Sequence, residues 1–170
     1  LIVKMAILGT ITYMLHLVVS WHWDWWEGWL YAIASFLCFF ISRGVAVRQH
    51  PDILEERARF RQHDNVKAYD KVLALLMAFR ILLIPITAGL DHRFSWMPST
   101  FHSMHTKLVA SVAILTGYII SSWSLIENRF FSGVLRIQSD RGHKVVSTGP
   151  YAVVRHPGYS ALLLVYGGAP

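Results

Sequence analysis

Long apolar runs separated by short polar or charged stretches make up nearly the whole chain. Four of the runs, residues 1–21, 29–47, 72–90 and 108–126, reach the roughly 20 residues that a helix needs to cross the hydrocarbon core of a bilayer. A fifth starts near Tyr159 and is not completed by Pro170. The pattern predicts an all-α, multi-pass transmembrane protein with four complete helices and the start of a fifth. It contains no G-x-G-x-x-G after a strand and no alternation of strand and helix patterns, which excludes the soluble nucleotide-binding fold. Any pocket must then be built from helix ends.

Composition agrees: 54% of residues are hydrophobic, 14% aromatic and only 15% charged. The net charge of +6 suggests orientation rather than nucleic acid, because of where the cations sit. Of the 16 Lys and Arg residues, all but Arg80, Arg93 and Lys107 lie at position 4, between 43 and 71, or between 129 and 155. The positive-inside rule makes those faces cytoplasmic. The opposite turn, WHWDWWEGW, has five tryptophans and no Lys or Arg, as an outer interfacial belt should. The single Cys38 sits mid-helix without a partner, so neither a disulfide framework nor a cysteine metal site is available.

The first residue is Leu1, and the final ALLLVYGGAP stops inside an apolar run, so residues 1–170 read as one membrane domain cut at its C-terminus and conceivably at its N-terminus. The first run is too long for a signal peptide and reads as a retained helix. No internal repeat or linker breaks the chain. In the first inner loop, HPDILEERARF offers a capping box in Asp52 and Glu55 and predicts a short charged helix, with Ile53, Leu54 and Phe60 along one edge. That edge lies on the inner leaflet or on the second inner loop. The outer loop holds His92, His102 and His105, but no acidic or thiol third ligand accompanies HSMH, so no metal site is assigned.

Two places carry candidate chemistry. Arg80 lies nine residues into an otherwise apolar helix, where an ionisable group costs about 2.5–3.5 kcal/mol and therefore faces a partner or a watery cavity. Pro85 weakens the same helix and helps open a pocket. Acceptor orientation in a cavity and an ion pair with Glu127 are both open for Arg80. The second place is the inner loop, ENRFFSGVLRIQSDRGHKVVSTGPYAVVRHPGY. Proline bars its preceding residue from the helical region, so His156 is extended, while Pro157 suits the first turn of a new helix. Backbone groups are left unpaired close to the membrane surface, where they either belong to an anchored interfacial turn or line a ligand cavity.

That loop, preceded by HPDILEERARF and GLDHRFSW, resembles the bacterial branch of the isoprenylcysteine carboxyl methyltransferase family, which is related to the membrane phospholipid methyltransferases. The likeness runs from about Pro51 to the end, and its most specific part is the RHPxY signature within GxYxxVRHPxY. The resemblance implies methyl transfer from S-adenosylmethionine to a lipophilic acceptor, typically the carboxylate of a prenylated cysteine, at an integral membrane site facing the cytoplasm. It nominates His143, Lys144, Val145 and Val146, then Tyr151, Arg155 and His156, as cofactor residues, with Arg136 or Gln138 as an outer contact. The family's other cofactor and catalytic element, bearing Arg and Glu, would lie beyond Pro170.

Displacement at a sulfonium depends on positioning two reactants and relieving charge, so no covalent nucleophile is needed, and an ionised carboxylate needs no general base. Two rivals stand beside this reading. One is an NADPH-dependent membrane reductase of sterol type, since distant sterol reductases share a version of the motif. The other is a non-catalytic haem- or quinone-holding protein with His16 or His102 as ligand.

Overall fold

The structure, a computed structural model, describes residues 2–53, 56, 68–131 and 138–168. Among them are five α-helices and no strand: α1 (Ile2–Ser20), α2 (Trp26–Gln49), α3 (Ala68–Phe94), α4 (Met104–Glu127) and α5 (Pro157–Gly167). Short 3-10 turns lie at Ser99–His102, Ser139–Arg141 and Gly149–Ala152. Each helix overlaps the apolar run that predicts it. Several extend beyond the runs, because tryptophans and the polar stretch through Phe94 continue the helical backbone. α4 opens where the Ser103 side chain accepts a 3.2 Å hydrogen bond from the Thr106 N–H, satisfying a donor that the first turn would leave unpaired.

α2 and α4 are each long and apolar enough to cross a membrane. Their packing is inverted relative to a soluble bundle. The buried positions of α2 are Gly28, Ala32, Ser35, Ser42 and Ala46, and those of α4 are Gly117, Ser124 and Leu125. Leu30, Ile33, Leu37, Ile41, Val109, Val112 and Ile119 on the same helices are exposed. Small and hydroxyl residues inside, with large aliphatics outside, are what helix association needs when the surroundings are themselves apolar.

The most extensive packing joins α4 to α5 and α1 to α3, with α2 bridging α4 and α1. Glycine makes both close pairings possible. A Cβ at Gly117 would come within 2.7 Å of the Ala161 carbonyl oxygen on α5, and one at Gly89 within 2.6 Å of the His16 carbonyl oxygen on α1.

Ile53 is fully buried with Ala46 and Leu125, and Val47, Ile126 and Phe131 surround that cluster. Of the two expected settings for the first inner loop, its start therefore packs on the second inner loop and the end of α4. Leu54, Glu55 and Phe60 lie outside the described residues, as does the rest of the proposed surface helix.

Candidate functional site

The end of α4 and the loop that follows form a platform held by three sets of contacts. The first is centred on Asp52. Its Oδ2 accepts hydrogen bonds from Arg129 Nη2 at 2.9 Å, Arg141 Nε at 3.1 Å and Arg141 Nη2 at 2.7 Å. Burial alone would push this carboxyl up, but the hydrogen bonds and charges of Arg141 and Arg129 outweigh it and hold the pKa down at about 2, from an ordinary 3.8. Asp52, expected as a helix cap, thus also ties the first inner loop to the second.

The second set surrounds Gln138, whose side chain is essentially fully buried. Its Nε2 donates to the Phe130 carbonyl at 2.8 Å, its Oε1 accepts from Arg141 Nη1, and its backbone N–H donates to His143 Nδ1 at 3.2 Å. The His143 ring stacks on Phe130 with centroids 4.8 Å apart and an 11° interplanar angle. Gln138, nominated as an outer cofactor contact, spends its amide on the loop's own framework.

The third set anchors the glycine turn. Thr148 Oγ1 donates to Glu127 Oε1, and Gly149, at φ +55°, lies so close that a Cβ there would sit 2.9 Å from the Glu127 carboxyl. Glu127, considered as a partner for Arg80, is thus engaged with the turn. The Arg80 side chain and the whole of Arg136 lie outside the described residues. Tyr151 donates to the Ser124 carbonyl at 3.4 Å, and burial pushes its phenol pKa up.

On this platform the remaining nominated residues lie in two segments of the loop, 143–146 and 151–156. His143, Lys144, Val145, Arg155 and His156 are all exposed, Val145 at 92%, while Val146 and Tyr151 are half-buried. His156 is non-helical, at φ −131° and ψ 64°, and Pro157 begins α5, as the X-Pro rule predicts. Among the described residues, the backbone N–H groups of Lys144, Val145, Val146 and Ser147 donate to no partner. A run of unpaired amides suits a small polar ligand with carboxylate and ring acceptors, and with the arginine and histidine that follow in the same loop it fits the donor set that a bound S-adenosylmethionine would call for.

The opposite end of the bundle has a different construction that the sequence reading did not resolve. His92 stacks on Trp25 at 4.1 Å and 7°, Lys107 pairs with Glu27, and the Asp91 carboxylate accepts from the Met97 N–H at 2.8 Å. Beneath them lies a cavity of about 310 Å³.

No family model matches the chain, and no solved structure matches it. Among curated proteins, it is 29% identical over 110 residues to a probable protein-S-isoprenylcysteine O-methyltransferase of Oryza sativa subsp. indica, and to the same degree to one of Oryza sativa subsp. japonica. The match covers 63% of this chain and 56% of each relative, so the chain spans little more than half the length of the curated relatives it matches. These proteins support the resemblance that the inner loop carries: the chain is similar, at low identity, to probable isoprenylcysteine methyltransferases.

Proposed function

We propose that the chain is the membrane-embedded, cofactor-binding part of an S-adenosylmethionine-dependent methyltransferase acting on a lipophilic acceptor, such as the carboxylate of an isoprenylcysteine-like or other isoprenoid compound. The observation that carries this reading is the run of unpaired backbone amides from Lys144 to Ser147, in the loop that leads on to Arg155 and the extended His156 and is anchored to the end of an apolar helix. The distant kinship with methyltransferases supports it.

In this reading the bound cofactor supplies an electrophilic methyl group. Arg155 and His156 hold its amino-acid end, His143 to Val146 and Tyr151 flank the rest, and Arg136 is an outer contact. Arg80 orients the acceptor carboxylate, which a guanidinium can do bidentately. With the acceptor already ionised near neutral pH, these residues bind and align rather than move protons. The chain crosses the membrane several times, with its cationic loops and this run of amides facing the cytoplasm of a bacterial inner membrane. The apolar outer surface of α2 and α4 supports the membrane setting.

Incubating the purified full-length protein and membrane lipid with S-adenosylmethionine labelled on its methyl group is the direct test. Transfer of the label into a lipophilic product is expected; label-free product with NADPH consumption would favour the reductase instead.

A further inference from the structure

The cavity at the tryptophan-rich end is lined by residues of all five helices and reaches from Thr106 to Leu115, about 14 Å along α4. Its nearest wall on that helix, Leu115, is about 18 Å from Glu127, where the loop begins, and no described residue of the loop lines it, so it is a different site. Its volume of about 310 Å³ falls at the lower end of small-molecule pockets. The deep wall is apolar, formed by Ala34, Ile84, Pro85, Ile114 and Leu115.

Glu27, Asp91, His102 and Lys107 also line the cavity, with His102 Nε2 buried, not hydrogen-bonded among the described residues and 3.7 Å from Asp91 Oδ2, and two neighbouring polar residues have hydrogen-bonding capacity to spare. His16 is 2% exposed, and its Nε2 lies 2.8 Å from the Gly28 carbonyl oxygen. A carbonyl only accepts, so Nε2 carries the hydrogen and Nδ1 of the neutral ring is an acceptor. Nδ1 is buried and has no partner among the described residues. A buried polar atom without a partner is uncommon in native proteins and points to a missing partner. The second residue is Tyr31, whose ring stands edge-on to His16 with centroids 5.2 Å apart. Ser35 donates to the Tyr118 hydroxyl at 2.9 Å, and Tyr118 donates to the Tyr31 oxygen at 3.3 Å. That chain ends with the Tyr31 hydrogen, which is left for an acceptor in the cavity.

One neighbouring acceptor and one neighbouring donor, above an apolar slot, are matched together by a hydroxyl group on an apolar chain. We infer that this cavity is a second binding site, specific for a lipid alcohol whose hydroxyl donates to His16 Nδ1 and accepts from Tyr31 while its chain fills the space beside Ile84 and Leu115. A lipid ester or ether would satisfy Tyr31 alone and leave His16 unpaired. The inference does not depend on methyl transfer at the other end.

The test uses full-length protein in lipid nanodiscs, with 1-dodecanol and dodecyl methyl ether as probes at equal mole fraction. At about ten times the dissociation constant, dodecanol should raise the melting temperature of the wild type by about 4 °C, and the ether by much less. His16→Phe should abolish the difference between the two probes. Ala34→Leu, which fills the slot without touching the polar pair, should melt normally alone and lose the response to dodecanol. An equal response to alcohol and ether, no response in the wild type, or a dodecanol shift that survives in Ala34→Leu would each overturn the proposal. Binding of S-adenosylmethionine should be unchanged in Ala34→Leu.

Discussion

The two ends of α4 solve opposite problems. At the aromatic end, rings and an ion pair close over a cavity, and most hydrogen-bonding groups are spent inside the protein. At the loop end, Asp52, Gln138 and Glu127 are spent on fixing the backbone, and the cationic and amide groups they hold are turned outward. The first arrangement encloses an apolar ligand, whereas the second presents a rigid polar edge. The difference teaches where side-chain identity matters: at the loop end, most residues that hold the loop are separate from the nominated ligand residues, with His143 and Tyr151 in both groups.

Breaking the holders should therefore hurt more than trimming the nominated ligand residues, and neither should reach the other end of the bundle. Arg141→Leu removes donors from Asp52, Gln138 and the Arg129 carbonyl at once, from a side chain only 11% exposed. It should weaken S-adenosylmethionine binding by more than tenfold in calorimetry, because left-over buried partners each cost about 1–3 kcal/mol. An unchanged affinity would mean that the clamp does not shape the site.

His156→Ala trims a nominated ligand residue. It should raise the dissociation constant for S-adenosylmethionine severalfold, with saturating cofactor restoring most of kcat. Intact binding with a collapsed kcat would make His156 a general base and blur the distinction between holders and ligand residues.

Acid should act on the loop end through Asp52. Its carboxyl titrates at about 2 in the folded protein against an ordinary 3.8, so its stabilisation is complete above about 3.8 and is lost as the pH falls toward 2. Thermal melts across that window should show a downward slope for the wild type and a shallower one for Asp52→Asn. The smallest effect is expected at the aromatic end, where Lys107→Met breaks a pair with Glu27 whose lysine is 34% exposed. The loss should be below about 1 kcal/mol in a denaturation experiment, with cofactor affinity untouched.

The helices were legible because apolar runs of spanning length have few alternatives, and His156 and Pro157 were legible because proline acts on its immediate neighbour. The holders were not. Arg141 and Asp52 are 89 residues apart in sequence, and Thr148 and Glu127 are 21 apart, so nothing local connects them. Gln138 read as a ligand contact because an amide in a loop looks the same whether it faces solvent or the Phe130 carbonyl. The cavity was invisible because residues of all five helices must meet to line it.

Gly117 and Gly89 also set how the molecule can move. Each lets two backbones touch with no side chain between them, so α4 with α5, and α1 with α3, behave as two stiff planks that cannot slide without a clash. The less extensive pairings run through α2. A molecule entering sideways from the bilayer would part the bundle along that seam, which borders the aromatic-end cavity, while α5 and the loop before it ride unchanged with α4.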